Sequence, residues 1–577
     1  MLPAMNRHRR RLLRFLRVVR DLPGSWLARR GARGLLRALV RAGGLRRAYG
    51  VLIDYTSLYP GEQARRYRRW IDATEAGSGG QPVRVVVAVS FRGLDDEQFG
   101  SIFANLIETT PCARVFVDVD PERHDSLGEL RAHGVDAHPM AGECRLPADA
   151  LGVVLPGRAC CLHPNSLAAI TRALDAGADL VYGDSDQIDA EGNRQLPYFK
   201  PDYSPDLLFH QDYMSDCVGI SCRIWDGTWR FDNPYASVLR SVEAASCVEH
   251  LPAILSHALA GAVRTPPAPP DCLEPLLQRR YGSSARVEAT PSGWRCRFGN
   301  GARAHVSVVI PTRDRIDLLA PCVDSLYATN AGSGFEIIVV DNGSREPETH
   351  EWLGRMERDR GDFRTLTADI EFNWSRLNNL AMADAAGDVF VFLNNDTVSM
   401  TDGWLARIAE YASREDVGVV GALLLFGDGT IQHAGVVVGY GGRAGHVYSG
   451  VRPEDASGAF VPPTVPRNVA TVTGACLAVS RNVVETIGVF NEDYRIVGND
   501  TEFCLRAHLA GLHNVYLPEI VLLHHESQSR GRSDPQSDNE RLERFIAKHL
   551  PRDPYYNPNL TLSSLHPGLS VEVTSGT

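Results

Sequence analysis

Apolar residues along the chain alternate between short continuous runs, typical of buried strands, and amphipathic stretches, typical of helices. The run VRVVVAVS at 83–90 is rich in β-branched residues, as expected for a strand covered on both faces. Strand-like and helix-like segments then alternate, in the order ARVFVDVD, HDSLGELRAHG, ALGVVLP, PNSLAAITRALDAG and ADLVYGDSD. This alternation predicts parallel strands joined by helical crossovers, and hence an α/β domain over residues 82–260.

The same pattern restarts after a proline-rich and then polar stretch, residues 261–304, which is typical of a linker. From residue 305 the strand-like runs HVSVVIPT, FEIIVVDNGS, DVFVFLNNDT and VGVVGALLLF alternate with helical segments. Both halves open on an apolar strand and place a further strand after an Ala-rich helix. We therefore predict two tandem domains of one α/β fold, the second over 305–550, followed by a C-terminal tail at 551–577.

Residues 1–81 differ from the rest of the chain in charge. Asp21 is the only acid among the first fifty residues, and arginines recur throughout them. Residues 7–50 have the periodicity of two short amphipathic helices. Two interpretations follow: peripheral contact with an anionic membrane surface, where each arginine contributes about 1 kcal/mol, or packing on a neighbouring domain with the arginines in water.

Composition narrows the class of protein. At 577 residues the chain is too long for one ordinary core, and its net charge of −10 leaves the body acidic, so we expect no nucleic-acid partner. Its twelve cysteines are scattered without a CxxC pair, and no secretory signal precedes them, which favours a reducing, cytoplasmic compartment. No apolar stretch reaches the roughly 18 residues of a spanning helix.

Polar residues follow three strands of the second half. They are Pro311, Thr312 and Arg313 after the first strand, Asp341, Asn342 and Ser344 after the second, and Asn394, Asn395 and Asp396 after DVFVFL. Ligands of open α/β sheets bind outside the carboxyl ends of the strands. The stretch DNGS alone is typical of a turn, but three polar clusters at strand ends together favour a nucleotide site.

At these positions the sequence resembles a known family. The segments VVIPTRDR, IIVVDNGS, FNWSRLNN, VFLNNDT, TGACLAVSR, GNDTEFCLRAHLAGL and LLHHESQSRG are similar, in this order, to the family 2 glycosyltransferases. The resemblance is to bacterial, rhamnosyltransferase-like enzymes of surface-polysaccharide assembly in which two such domains are fused. It is strong over about 305–535 and weaker over 83–260, where DLVYGDSDQID and PYFKPDYSPDLLFHQDYM carry it.

The resemblance implies a fold and a reaction. The fold is the GT-A fold of nucleotide-diphospho-sugar transferases, present twice. The reaction is inverting transfer of a sugar from a nucleoside-diphosphate sugar to a glycan or lipid-linked acceptor, with Mg²⁺ or Mn²⁺, in cell-surface polysaccharide biosynthesis. A divalent cation neutralises the charge that develops on the diphosphate leaving group, and a carboxylate accepts the proton of the attacking hydroxyl.

For the metal, Asp396 matches the last acid of the family's acid-x-acid motif, and Asn394 stands where the first acid commonly lies. Mg²⁺ often takes only one or two protein carboxylates, so one acid is compatible with a working site; a loop turn is the alternative. His524 matches the histidine that approaches the metal in relatives. Strand alternation turns the neighbouring His525 to the opposite side, and a structural role for either histidine is the alternative.

For the base, Asp500 matches the acid that the family uses. Asn499 is a good N-cap, and Glu502 stands three residues later, as a capping box requires. This pattern assigns Glu502 a structural role and leaves Asp500 to face the crevice. Glu502 is the second candidate for the base.

The remaining matches concern the donor. The resemblance places Thr312 and Asp341 against the nucleotide base and ribose, with Asn378 in the same pocket and Pro311, Arg313 and Asn395 beside them. Gly474 would permit close approach near the sugar and acceptor, although a lone glycine also marks an ordinary bend. Arg530 would fold over the diphosphate or belong to a solvated loop.

The first half departs from the family pattern. Where a relative has an acid-rich turn, this chain has LPGRACCLHP at 155–164, without a carboxylate. We predict that this domain has lost metal-dependent transfer, and that Asp184, Asp186 and Asp189 form a solvated turn.

Two other classes of function compete with transfer. One is a non-catalytic protein that binds sugar nucleotide or glycan through two degenerate domains. The other is a nucleotidyltransferase, which would usually have a glycine-rich phosphate loop after the first strand. The stretch PTRDR lacks such glycines.

Overall fold

The computed structural model describes residues 60–75 and 83–570, except 112, 124, 141–144, 190, 260–268, 270, 291–292, 300–303, 333, 457–459, 526–534 and 565. The predicted helices within 7–50 and the predicted site residue Arg530 lie outside the described residues. Among the residues described, no helix combines the length and apolarity of a membrane span.

The first domain is built on one mixed sheet. Its strands are β1 (Val85–Ser90), β2 (Arg114–Asp118), β3 (Asp136–Pro139), β4 (Gly152–Pro156), β5 (Cys160–Leu162), β6 (Leu180–Ile188), β7 (Arg194–Tyr198), β8 (Cys217–Ser221) and β9 (Val248–Leu259). Its helices are α1 (Pro60–Thr74), α2 (Asp96–Thr109), α3 (Ser126–Ala132), α4 (Ser166–Asp175), α5 (Pro205–Leu208) and α6 (Pro234–Ala244). The sheet order is β3-β2-β1-β4-β8-β6-β9-β5, with β7 paired to β6.

The segment that we predicted as a linker is folded. It contains α7 (Leu273–Tyr281) and an antiparallel hairpin of β10 (Arg286–Thr290) and β11 (Gly293–Arg297). Trp294 Nε1 donates to Phe209 O of the first domain at 2.8 Å, and Cys296 O accepts from Arg407 Nη1 of the second at 2.8 Å. The linker prediction was therefore wrong for this stretch, because the alternating apolar residues of a short hairpin were hidden in a polar composition.

The second domain repeats the first. Its strands are β12 (Val306–Thr312), β13 (Phe335–Asp341), β14 (Phe363–Thr367), β15 (Val389–Leu393), β16 (Thr397–Ser399), β17 (Val417–Leu425), β18 (Ile431–His433), β19 (Val436–Val438), β20 (Ala444–His446), β21 (Arg467–Asn468), β22 (Cys476–Ser480) and β23 (His513–His524). Its helices are α8 (Ile316–Thr329), α9 (Pro347–Asp359), α10 (Trp374–Asp384), α11 (Trp404–Ala412), α12 (Arg481–Ile487), α13 (Asn499–Leu509) and α14 (Gln536–His549).

Strand order matches position by position in the two domains. The second sheet runs β14-β13-β12-β15-β22-β17-β23-β16, with β18 on β17 and β21 on β23, and β19 and β20 form a separate hairpin. The predicted α/β fold in two copies is confirmed. The sheets are mixed, however: β22 lies antiparallel between β15 and β17, as β8 does between β4 and β6.

Buried polar contacts join the two domains. Arg414, beyond the end of α11, places Nη1 2.5 Å from Asp206 Oδ1 of α5, with side chains 2% and 0% exposed. Asn468 of β21 donates from Nδ2 to Asp206 Oδ2 at 2.8 Å. Asp206 lies in the first domain, whereas Arg414 and Asn468 lie in the second. A buried ion pair and an amide hydrogen bond therefore join the domains inside a largely apolar core.

The C-terminal tail also belongs to this interface as far as residue 570. Asn557 is buried, and its Nδ2 donates to Asp184 Oδ1 of β6 at 2.9 Å. Asp202 N donates to Pro554 O at 2.9 Å. The last described residues therefore complete the first domain.

Asp184 and Asp186 correct a prediction. We expected a solvated turn, but both lie on β6 and are completely buried. Asp184 Oδ1 is 2.9 Å from His250 Nε2, and Asp186 Oδ2 is 2.6 Å from Arg194 Nε. Arg194 lies on the neighbouring strand β7, whereas His250 lies on β9, 66 residues from Asp184. The sequence pattern around 184–189 shows neither pairing.

Candidate functional site

The polar strand ends of the second domain meet at one edge of its sheet. Parallel pairing of β12 and β13 sets Thr312 beside Asp341. Asn395 Nδ2 donates to Thr312 Oγ1 at 2.9 Å, which joins the end of β15 to the end of β12. Asn394 N donates to Ala475 O at 3.1 Å, which joins β15 to the start of β22. The structure thus brings the three predicted clusters together.

Asp396 and His524 form a pair at this edge. Antiparallel pairing of β16 with β23 sets Thr397 opposite His524, so the residue before Thr397 faces the imidazole. His524 Nε2 lies 3.1 Å from Asp396 Oδ1, with side chains 9% and 6% exposed. Asn394 Nδ2 is 3.3 Å from the same ring nitrogen. A carboxylate, an imidazole and an amide therefore converge on one point.

His525 directly follows β23 and differs from His524 in exposure. Its side chain is half-buried, whereas that of His524 is buried. His525 contributes through its backbone, since its N–H donates to Asp396 O at 3.0 Å. This bond holds the backbone of the carboxylate-bearing turn against the end of β23.

Asp500 stands at the start of α13, half-buried, across β22 from this pair. Its Oδ2 accepts from Gly474 N at 2.8 Å, and its Oδ1 accepts from Thr501 N at 2.7 Å. The N-terminal N–H groups of a helix favour a carboxylate at this position. Asp500 is therefore held in one orientation by two backbone donors.

The start of α13 differs from the prediction. The N-cap is Gly498, with φ 81°, and Asn499 is the first helical residue. Glu502 makes no capping box: its Oε1 lies 3.0 Å from Arg506 Nε, and its side chain is buried. Burial raises the pKa of Glu502, although Arg506 acts to lower it. Gly498, in the left-handed region, ends the preceding loop and caps the helix. The sequence pattern that predicted Asn499 as the N-cap therefore placed the start of the helix one residue too late.

Gly474 lies in a closely packed position. A Cβ at this position would lie 3.0 Å from Trp374 Cζ2 and 3.4 Å from Asp500 Cβ. The absence of a side chain lets the indole of α10 and the carboxylate of α13 approach the same strand. Gly474 therefore does more than mark a bend.

The other predicted donor residues differ in exposure. Arg313 is exposed and Pro311 is half-buried at the edge. Asp341 is buried, and its Oδ1 accepts from Ser344 N at 2.8 Å. Asn378 is completely buried, and its Nδ2 donates to Trp374 O at 2.7 Å. Asn378 thus lies inside α10, behind the indole, and not at the open edge.

Two polar residues that we did not predict support the site. Gln432 of β18 places Oε1 2.6 Å from His524 Nδ1. Asp538 of α14 is buried, and its Oδ2 accepts from the backbone N–H of Arg495, Ile496 and Val497 at 3.0, 2.9 and 3.3 Å. These backbone donors lie just before α13, so Asp538 fixes the loop that leads to Asp500. Neither residue carries a motif that would reveal its partner.

A family comparison decides what this domain is. Residues 307–487 match the family model Glycosyl transferase family 2. They form a glycosyltransferase family 2 domain. The predicted family is confirmed for these residues.

Relatives of the chain extend the match beyond that domain. It is 36% identical over 437 residues to the O-antigen biosynthesis protein RfbC of Myxococcus xanthus, covering 71% of this chain and 34% of the relative. It is 34% identical over 435 residues to the uncharacterized protein y4gI of Sinorhizobium fredii, covering 70% and 47%. The chain thus spans about a third and about half of these curated relatives.

A solved structure, GalNAc-T7 with UDP, GalNAc and Mn²⁺, is also similar. It is 15% identical with a TM-score of 0.35, and the match covers 42% of this chain and 48% of that one. Similarity at this level has no bearing on the function of this chain.

The residues at the glycosyltransferase edge are chemically suited to a divalent cation. Two acceptors, a carboxylate oxygen and an imidazole lone pair, repel at 3.1 Å unless a proton or a cation lies between them. Mg²⁺ and Mn²⁺ accept carboxylate and amide oxygens, and imidazole also suits transition metals. Asp396 Oδ1 and His524 Nε2 therefore fit such an ion as ligands, and Asn394 lies beside them with its amide nitrogen toward the ring.

Among its described residues, the first domain has other side chains at the corresponding positions. Strands β5 and β9 of the first domain correspond to β16 and β23 of the second, and Cys160 pairs with Ala258 as Thr397 pairs with His524. In this alignment Ala258 takes the position of His524. Ala159, the residue before Cys160, takes the position of Asp396. The start of helix α6 precedes the start of strand β9 by as many residues as the start of α13 precedes that of β23. Aligning the two helices by their first residues sets the buried Tyr235 in the position of Asp500. The carboxylates and the imidazole of the second domain therefore have no counterpart at these three described positions.

Proposed function

We propose that the chain is an inverting glycosyltransferase that moves a sugar from a nucleoside-diphosphate sugar to a hydroxyl of a glycan or lipid-linked acceptor. One observation carries the proposal: in a family 2 domain, a short path of contacts links Asp500 to the Asp396–His524 pair. Asp500 accepts a hydrogen bond from Gly474 N, and the next residue in the chain, Ala475, accepts one from Asn394 N. Asn394 in turn places Nδ2 beside His524 Nε2. A base and a diphosphate site therefore share one edge.

Asp500 acts as the general base. Gly474 N and Thr501 N each take one lone pair of its oxygens, and the remaining lone pairs can accept the proton of the acceptor hydroxyl. A positioned base of this kind contributes a factor of about 10² to 10⁴ in rate. Glu502 is unsuited to this role, because its carboxylate is buried beside Arg506.

Asp396 and His524, with Asn394 as a neutral third group, hold Mg²⁺ or Mn²⁺. The ion supplies positive charge where the diphosphate leaves. Thr312 and Asn395, which are bonded to each other, and Asp341 hold the nucleotide at the adjacent strand ends. Arg313 is exposed beside them, where it reaches a phosphate or the nucleotide.

The first domain, over residues 82–260, serves packing, acceptor binding or assembly. Ala159, Tyr235 and Ala258 in place of the site residues support this division, and so does the buried interface with the second domain. The names of relatives support a place in cell-surface polysaccharide biosynthesis. RfbC is an O-antigen biosynthesis protein, and a 71-residue match, 38% identical, is to a rhamnosyltransferase of Mycobacterium tuberculosis.

The test is nucleotide release from a panel of nucleotide sugars, with and without Mn²⁺ or Mg²⁺, in the presence of candidate acceptors. The Asp500→Asn variant should retain donor binding and lose turnover. Asp493→Asn is the matched control, because Asp493 is an exposed acid of the preceding loop paired with Arg541, and it should turn over normally. Equal turnover of Asp500→Asn would refute the base. Donor binding without release by the parent protein would favour a non-catalytic binding protein.

A further inference from the structure

We propose that Gln432 is a positioning residue that sets His524 to ligate the divalent cation. The inference rests on the proposed function, since it concerns the metal edge of that site. Gln432 Oε1 is 2.6 Å from His524 Nδ1, on the ring side opposite Asp396. Nothing in the sequence pairs the two residues, which are 92 positions apart.

The imidazole can serve a metal only in one tautomer. A carbonyl oxygen accepts but does not donate, so Gln432 Oε1 at this distance requires the proton on Nδ1. In the neutral imidazole the lone pair is then on Nε2, which lies 3.1 Å from Asp396 Oδ1. The other tautomer would point an N–H at Asp396 and close the site. Hydrogen bonds of this kind to the non-ligating nitrogen commonly orient metal-binding histidines.

Gln432 is itself held on a tight hairpin. The turn between β17 and β18 is closed by Phe426 N donating to Thr430 O at 2.8 Å, and Gly429 adopts φ 79° in it. Ile431 and His433, which flank Gln432, are completely buried. Strand alternation therefore turns Gln432 to the opposite face with little freedom to rotate the backbone.

The choice of an amide also has a chemical consequence. A carboxylate at the same position would accept the Nδ1 proton equally well but would add a negative charge behind the histidine. An apolar side chain of similar length would fill the space and accept nothing. Gln432→Glu and Gln432→Met therefore separate hydrogen-bond acceptance from shape.

The experiment measures Mn²⁺ binding to the purified full-length chain by electron paramagnetic resonance. Affinity comes from loss of the free Mn²⁺ signal, and histidine ligation comes from nitrogen coupling in the spin-echo modulation. Gln432→Met should weaken Mn²⁺ binding by about 10- to 100-fold and diminish the nitrogen coupling. Gln432→Glu should keep both, because it keeps the acceptor. Gln211→Met is the matched control: Gln211 is a half-buried glutamine of the first domain bonded to Tyr198.

The outcomes separate the two proposals. Equal Mn²⁺ affinity and nitrogen coupling in Gln432→Met and Gln211→Met would overturn the role of Gln432 and leave the metal site standing. Loss of affinity in Gln432→Glu as large as in Gln432→Met would also overturn it, since an acceptor for the Nδ1 proton would then not be what preserves Mn²⁺ binding. A parent protein that binds Mn²⁺ without nitrogen coupling, or not at all, would overturn the metal site of the proposed function and the inference with it.

Discussion

Replacing Arg414 by Met tests how strongly one buried ion pair joins the two domains. The change leaves Asp206, whose side chain is 0% exposed, with the hydrogen bond from Asn468 but without its cation. Asp416, also paired with Arg414, keeps Tyr281 Oη at 2.8 Å and Arg280 Nη2 at 3.2 Å. Asp206 therefore loses its cationic partner, whereas Asp416 keeps Arg280.

A single partner removed from a buried pair costs about 3–5 kcal/mol. The methionine keeps apolar contact with the rings that surround the guanidinium, whose carbon lies 4.6 Å from the centroid of Tyr281 and 4.7 Å from that of Phe298. The loss should therefore be mostly electrostatic. Such a loss is a large fraction of the roughly 5–15 kcal/mol by which folded domains are stable.

The assay is urea unfolding followed by circular dichroism at neutral pH. A two-domain chain need not unfold in one step, so each transition is fitted separately. Arg84→Met is the matched control, because the Arg84–Asp175 pair is 3.3 Å apart with side chains 51% and 62% exposed, and its loss should cost less than about 1 kcal/mol. Adding Asp206→Asn to Arg414→Met should recover part of the stability. A loss in Arg414→Met no larger than in the control would refute the reasoning.

Three further predictions concern single residues. Burial acts to raise the pKa of Asp416, but Arg414 lowers it to about 2. The stability that this lowered pKa contributes is present above the ordinary pKa of an aspartate and is lost between about pH 4 and pH 2. Acid unfolding of Asp416→Asn should therefore depend less on pH in this range. Asn394→Asp should tighten Mn²⁺ binding in paramagnetic resonance titrations, because it adds a charged ligand; weaker binding would contradict the site. Gly474→Ala should lower turnover more than donor affinity in steady-state kinetics, because its Cβ meets Trp374 at 3.0 Å; unchanged turnover would count against this.

Much of the site was predictable because parallel strands bring their carboxyl ends to one edge. Thr312, Asp341 and Asn395 each follow an apolar run, and the structure sets them side by side. Asp396 and His524 needed the family resemblance as well, since the carboxylate and the imidazole come from segments 128 residues apart by number. Their meeting depends on the pairing of β16 with β23, which is too short to leave a clear pattern.

What could not be predicted depends on long-range or antiparallel contacts. An apolar run such as CLAVS looks the same whether it lies parallel or antiparallel, so the direction of β22 was hidden. Asp184 is polar in a stretch with turn chemistry, and donors that include Lys200 N, Asn557 and His250 make its burial favourable. Local rules also fail where two apply at once: Gly498 and Asn499 can each begin a helix, and the glycine does.

The contact between Asn557 and Asp184 has a consequence for how the chain is made. Ribosomes release the first domain hundreds of residues before the segment that completes it, and domains commonly fold as they emerge. Until Asn557 arrives, Asp184 on the central strand β6 lacks a hydrogen bond that it has in the finished protein. The first domain therefore gains these hydrogen bonds only after the second domain has been synthesised. A chain cut short before Asn557 should have a less stable first domain than the full chain.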